Sequence, residues 1–359
     1  MNSESRDAGR PLRLGPRSQF RLAVELVGGP NRGLSAEPRS SGSLQIGRAT
    51  DNELQLKGEG MAAYHLELTA HEGGAHVEDL GSASGTWFDE LRIERAMVPY
   101  GSELRVGEHR LRVDGATTVE LEREELPSLS IPTVAFARRY REALALGARF
   151  ASGRVPVLLQ GEPGAGKRFL ARVIHEWSGR EGPWVECSAA GDATAVAARI
   201  FGHTPGSHRG ASAGGEGAIQ RAKAGTLYVS DVDRMPPETQ GMLARALRDG
   251  ATAPLGSNQA FPVDARWVFG CSQDLRRAVN QGYFLEELYF RIAAARVTAP
   301  PLRDRLEDLE LLVRHFEGLL NITEPLGPGQ IERMKRRYFQ GNLRELCELV
   351  RAARDSWEP

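Results

Sequence analysis

The stretch "VPVLLQGEPGAGKRFLARVIHEW", residues 155–177, constrains this chain more than any other. An apolar run leads into glycines, and the glycines open a segment with helical periodicity. Gly161, Gly166 and Lys167 keep the spacing G-x-x-x-x-G-K. In such a loop, backbone N–H groups at a helix N-terminus take anionic oxygens and the lysine reaches them as a cation. The next position, where a hydroxyl ordinarily meets a nucleotide's Mg2+, is Arg168. A glycine-rich turn with an incidental lysine is the alternative for the same residues.

The surroundings suit the first of these. "WVECS" (184–188), "TLYVS" (226–230) and "WVFGCS" (267–272) are further apolar strand candidates, and "PPETQGMLARALRDG" opens on prolines and closes on Gly250 as a helix does. Alternating strands and helices argue for a doubly wound α/β domain, expected over 135–301. Beyond Pro301, Leu309, Leu312, Val313, Phe316 and Leu320 share one helix face, and 341–357 forms another amphipathic helix. A helical lid is therefore expected over 302–359. Residues 19–114 differ: short β-prone runs such as "FRLAVELV", "SLQIG", "HLELTA" and "HRLRV" are separated by turn residues, which predicts an all-β sandwich. Residues 115–134 dissolve into charge and proline, the composition of a linker.

The 359 residues, 41% hydrophobic and 26% charged, suffice for two or three domains with cores of their own. A net charge of −1 supplies no global basic field for nucleic acid. Cys187, Cys271 and Cys347 lie far apart with no metal-ligand spacing, so reduced thiols, a cytoplasmic location and no bound metal cluster are expected. Residues 1–18 carry Arg6, Arg10, Arg13 and Arg17 with no apolar core after them, and are expected to be a disordered polar tail rather than a secretory signal.

From Phe136 to Trp357 the chain resembles the AAA+ domain of sigma-54-dependent transcription activators. "GEPGAGKRFLARVIHEWSGR", "IFGHTPGSHRGA" (200–211), "AGTLYVSDVDRMP" (224–236), "VDARWVFGCSQDL" (263–275), "GYFLEELYFRI" (282–292), "APPLRDRLEDLELLVRHF" (299–316) and "GNLREL" (341–346) follow that family's order and spacing. The resemblance implies ATP or ADP in the loop formed by Gly161, Glu162, Pro163, Gly164, Ala165, Gly166, Lys167 and Arg168, with Arg344 touching nucleotide from the lid. In that family the residue after the lysine is ordinarily Glu, so a missing hydroxyl at 168 is ordinary and a cation there is not.

Carried over position by position, the resemblance also implies losses. The magnesium-organising aspartate falls on Ser230 and the water-polarising glutamate on Asp231. A one-residue slip would give Asp231 the metal but would turn every side chain of the strand to its other face. The sensor asparagine falls on Ser272. Of two arginines that act in trans, one is Leu285 and the other persists as Arg291. An arginine finger is worth about 10³- to 10⁵-fold in rate. The loop that engages sigma-54 carries His208 and Arg209 where the family has Phe and Thr, so its tip is polar and cationic. No helix-turn-helix follows the lid, and direct sequence-specific DNA binding is not expected.

The N-terminal segments "IGRATDNELQL" (46–56), "MAAYHLEL" (61–68) and "EDLGSASGTWFDELRI" (78–93) resemble a forkhead-associated (FHA) domain, a sandwich that reads phosphothreonine on its loop tips. Arg48 keeps a guanidinium able to pair with phosphate. The family's Ser and basic residue are Ala62 and Ala63, and its Asn is Ser84, which leaves Arg48 and Ser84 as a weak phosphopeptide site or a docking face that needs no phosphate. His65 is expected to be structural. Together these readings describe a multidomain chain, an FHA sandwich followed by an α/β P-loop domain with a helical lid. It is expected to bind ATP or ADP, with Mg2+ binding weakened, and to self-associate or join mixed rings. It is expected to regulate transcription or signalling through protein contacts, with little hydrolysis of its own. A live ATPase in a mixed ring for which Asp231 and Arg291 suffice, and a nucleotide-free scaffold in which Arg168 replaces the metal, are the alternatives. Asp231, Arg291 and Ser272 are the candidate catalytic residues.

Overall fold

The computed structural model describes residues 17–38, 43–71, 73–121 and 137–356. Of the tail expected over 1–18 only 17 and 18 lie within these residues, and of the linker expected over 115–134 only 115–121. Among the described residues, one compact unit holds 17–121 together with Asp274–Tyr289, and the other holds 137–273 and 290–356.

In the first unit, alternation of apolar and polar residues builds two sheets. The larger runs in the order Ser35–Ala36, Arg17–Gly28, His109–Leu121, Ser102–Val106, Thr86–Phe88, Leu91–Ile93. The smaller runs Leu54–Gln55, Ser43–Gly47, Leu66–His71, Gly74–Asp79, Arg95–Pro99. Leu22, Val24 and Leu26 from one sheet and Leu44, Ile46, Leu66, Leu68 and Val77 from the other meet in a dry core. Each contributes about 1.5–3 kcal/mol by burial, set against the entropy of ordering it. The strand His109–Leu121 continues past residue 114, where the sandwich was expected to end, because Arg17–Gln19 pair with Val119–Leu121. That pairing is invisible in the charged sequence.

A buried carboxylate organises the turns at one end of this unit. Asp79 Oδ1 accepts from the Gly81 and Ser82 amides at 2.9 and 2.8 Å, and Oδ2 accepts from Ser82 Oγ and Thr86 Oγ1 at 2.6 and 2.8 Å. His65, fully buried, places Nε2 3.3 Å from the Gly85 carbonyl oxygen. Burial pulls its pKa below the usual histidine value, opposed by that carbonyl and by Asp79. His65 is thus the structural group the sequence suggested.

The second unit contains a five-stranded, wholly parallel sheet in the order Trp184–Ser188, Thr226–Ser230, Arg266–Cys271, Val157–Gln160, Ala295–Thr298. Several bounds coincide with the stretches read from the sequence, and the helix Lys167–Trp177 does so at both ends. Leu170, Ala171, Val173 and Ile174 form the buried stripe of that helix. Ala295–Thr298 has no strand pattern of its own; its place beside Val157–Gln160 makes it one. In chain order the first strand lies between the fourth and fifth. Its own connection runs to one side, to the second strand, while the fourth-to-fifth connection passes to the other. Such a reversal opens a crevice at the strand's C-terminal end. Three helices, Leu309–Leu319, Pro328–Lys335 and Asn342–Ser356, close around Leu309, Val313, Ile331, Phe339, Leu346 and Val350 as the lid. Residues 274–289, expected inside the α/β domain, group instead with the sandwich. No helix among the described residues is long and apolar enough to cross a membrane.

Removing the Asp79 carboxylate strands four donors, three of them in buried Ser82 and Thr86. Asp79→Ala is expected to destabilise the sandwich by about 3 kcal/mol, measured as a lowered midpoint of its urea transition at unchanged slope.

Candidate nucleotide site

The loop after Val157–Gln160 can form only with glycine at its turning points. Gly164 and Gly166 hold φ of +77° and +97°, a region L side chains rarely adopt. A Cβ on Gly164 would also strike the Gly341 carbonyl oxygen. Gly166 caps the helix that begins at Lys167, so the first N–H groups of that helix face the loop's concavity. Lys167 Nζ donates to the Gly161 and Glu162 carbonyl oxygens at 2.5 and 3.0 Å and to Ser272 Oγ at 3.3 Å. Burial lowers its pKa, opposed by Cys271 and by the charges of Asp233 and Asp231.

The loop is braced by residues far along the chain. Glu162 receives both Nη atoms of Arg303, at 2.8 and 2.6 Å, and Asn342 Nδ2 at 3.0 Å. The hydrogen bonds from Arg303 are the main reason its carboxyl sits below the usual glutamate range. Asn342, fully buried at φ +52°, also donates to the Pro163 carbonyl oxygen at 3.1 Å and accepts from the Leu302 amide at 2.7 Å. Leu343 N donates to the Gly164 carbonyl oxygen. Arg305, 2% exposed, donates to the Ala165 carbonyl oxygen at 2.8 Å and lies 4.2 Å over the Tyr140 ring. The first turn of the lid's last helix is therefore tied directly to the loop.

A cavity of about 1060 Å3 opens beside it, at the upper limit of small-molecule sites. One part of its wall is polar: Lys167, Arg168, Glu186, Ser230, Asp231, Ser272 and Arg344. Another is apolar and aromatic: Tyr140, Phe169, Trp184, Tyr228, Phe316 and Leu343. Trp184 stacks on Tyr228 at 5.8 Å, and the Arg172 guanidinium covers it at 5.3 Å. An anionic group at the loop and a flat heterocycle against the rings would both be satisfied.

Ser230 ends its strand, and Asp231 turns out of it in the left-handed region at φ +56°. Asp231 Oδ2 accepts from Ser188 Oγ and Ser230 Oγ, both at 2.8 Å. One carboxylate thus stands where the resemblance implied two. A phosphate-bound Mg2+ needs only one or two carboxylates besides the phosphates. Asp231 suits such an ion, and Ser230 offers it no charge. Arg168 Nε donates to Glu186 Oε2 at 2.6 Å, and its side chain is 75% exposed. It is engaged by Glu186, which gives no support to Arg168 as a replacement for the metal.

Ser272 takes a second contact that the sequence did not signal: its amide donates to Asp233 Oδ1 at 3.2 Å. Asp233 carried no local signal of this role. Arg344 is exposed on the lid helix and lines the cavity. Arg291, half-buried on the helix Glu286–Ile292, does not line it. The loop 204–214 rises from paired Gly202–His203 and Gly215–Glu216, with His208 edge-on to His203 at 4.9 Å and Arg209 exposed. In the other unit, Arg48 is exposed, and Ser84 Oγ donates to the Gly60 carbonyl oxygen at 2.6 Å.

Residues 134–298 match the Sigma-54 interaction domain family, and residues 44–107 match the FHA domain family. The transcriptional regulator NtrC of Bradyrhizobium sp. (strain RP501 Parasponia) is 35% identical over 228 residues, covering 62% of this chain and 48% of NtrC. The C4-dicarboxylate transport regulator DctD of Pseudomonas aeruginosa is 37% identical over 232 residues, 63% of this chain and 50% of its own length. This chain spans about half the length of these two curated relatives. The crystal structure of NtrX from Brucella abortus superposes with a TM-score of 0.57 at 28% identity, over 61% of this chain and 51% of NtrX. Further NtrX structures in complex with ADP and with ATP give 0.55 and 0.56.

Replacing Asn342 with alanine leaves the buried Leu302 amide without its acceptor and releases Glu162 and Pro163. Asn342→Ala is expected to cost about 2 kcal/mol in denaturant unfolding of the α/β unit.

Proposed function

For a chain that carries a Sigma-54 interaction domain behind an FHA domain, we propose a regulator that holds ATP or ADP and acts through protein contacts. It has weak or no hydrolysis of its own, and its engagement of sigma-54 polymerase is altered. The observation that carries this reading is the intact cradle beside an incomplete acid set. The left-handed glycines, the helix N-terminus and Lys167 are in place around the cavity, whereas Asp231 is the sole carboxylate among the residues that line it at the end of its strand. Structures of NtrX with ADP and ATP support nucleotide in this fold. When bound, Mg2+ would neutralise phosphate charge. The chain's own part is to hold the phosphates at the loop and to seat the base against Trp184 or the lid.

The polar tip at His208 and Arg209 supports weak engagement of the partner that an apolar tip would grip. Leu285 at one finger position and Ser272 at the sensor support slow turnover. Self-association or a place in a mixed ring with an intact relative follows from Arg291, which would serve a neighbour's nucleotide. Cys187 and Cys271, buried and not in a disulfide, suit a protein acting in the cytoplasm. Direct sequence-specific DNA contact plays no part in this reading. A second reading, a live ATPase within a mixed ring, draws on Asp231 and Asp233, both close enough to Lys167 to act on its charge.

Isothermal titration with ATP is expected to show saturable binding with and without Mg2+, weakened at least about tenfold by Lys167→Ala, an amount equal to one charge-assisted contact. Absence of saturable binding would overturn the proposal. Steady-state phosphate release is expected to match the Lys167→Ala control; turnover clearly above that control would establish the second reading instead. For the sandwich, Arg48→Ala is expected to abolish any binding to a phosphothreonine peptide array, and signal that survives the substitution would remove Arg48 from phosphate pairing.

A further inference from the structure

Asp274–Tyr289 belong to the sandwich's compact unit although they lie far from it in sequence. The contacts that hold them are specific and polar. Asn280 behaves like a strand partner: its Oδ1 accepts from the Tyr64 amide at 3.2 Å, and its Nδ2 donates to the Tyr64 and Leu80 carbonyl oxygens at 2.5 and 2.9 Å. Arg276, 5% exposed, donates to Glu67 at 2.8 Å and to Asp274 at 2.5 Å. Arg277 donates to Glu78 at 2.9 Å. The Tyr289 ring meets Tyr64 edge-on at 4.8 Å.

Tyr64 sits in the loop that holds Ala62 and Ala63, and Leu80 leads into the loop that holds Ser84. These are the loops whose phosphate-reading groups the sequence lacks. Their backbone polar groups are engaged by an amide side chain, and the flanking Glu67 and Glu78 are matched to two arginines. We propose that the ligand of this loop edge is the chain's own segment 274–289, bound without phosphate. The acidic rim of Glu67 and Glu78 suits the Arg276–Arg277 pair of the helix Leu275–Asn280 better than a phosphopeptide, whose phosphate both carboxylates would repel. The segment's last four residues are the first four of the helix Glu286–Ile292, which also carries Arg291. The docking itself does not depend on the nucleotide reading.

Hydrogen–deuterium exchange on the full chain, treated beforehand with phosphatase, tests this. Wild-type peptides covering 274–284 are expected to be protected. Asn280→Ala removes three hydrogen bonds and is expected to speed their exchange by at least about tenfold, while the strands Leu66–His71 and Gly74–Asp79 keep their protection. Arg277→Ala, at a half-exposed position, is expected to act in the same direction by about threefold and stands in if Asn280→Ala disturbs the sandwich. Unchanged exchange of 274–284 in both variants would overturn the proposal. So would loss of wild-type protection after phosphatase treatment, because the docking would then need a phosphate.

Discussion

The Gly161–Lys167 loop depends on an ion pair made long after the loop itself is synthesised. Glu162, inside the loop, is gripped by Arg303 and by Asn342, and Asn342 simultaneously holds the amide of Leu302. Two glycines in left-handed conformation store freedom that an unbraced chain would spend on other shapes. Tying that loop to the first turn of the lid helix fixes the direction in which its N–H groups point. Pre-organised donors bind an anion without further ordering cost, which is the condition for a tight phosphate site. Loop and lid position are coupled through the same few atoms.

Against this complete cradle, the wall at the end of Thr226–Ser230 carries a single carboxylate, Asp231. Asp231 spends one oxygen on two serine hydroxyls, and Ser230 supplies a neutral group where a second carboxylate would stabilise a divalent ion. Binding of phosphates rests mainly on backbone dipoles and Lys167 and tolerates that loss. Polarising a water for attack does not, because it needs a base held against the metal and the γ-phosphate. The function proposed above separates holding a nucleotide from consuming it on this ground. Arg168, the most unusual residue in the motif, spends its charge on Glu186.

Much of this was legible from local pattern. The helix Lys167–Trp177 and the strands Trp184–Ser188 and Thr226–Ser230 carry their own periodicity and punctuation, so their bounds follow from the residues within them. The strand Ala295–Thr298 does not: its residues "ARVT" become a strand only because a parallel neighbour supplies the hydrogen-bond ladder. Likewise Arg303, Arg305 and Asn342 read as ordinary lid residues until Glu162 and the Ala165 carbonyl are found opposite them. Asp233 is a further case, given a partner only by the adjacent strand end at Ser272.

The sequence alone determined the two architectures, the phosphate loop and the positions where charge is missing. Each of these is written in neighbouring residues, through period, glycine placement or residue type. Only the tertiary structure decided which distant side chains brace the loop, that Arg168 faces Glu186, and that residues 274–289 join the sandwich rather than the domain they interrupt. Those outcomes depend on hydrogen bonds and ion pairs between groups far apart along the chain. A side chain's partner at that range is set by the path of the backbone, which no local pattern encodes.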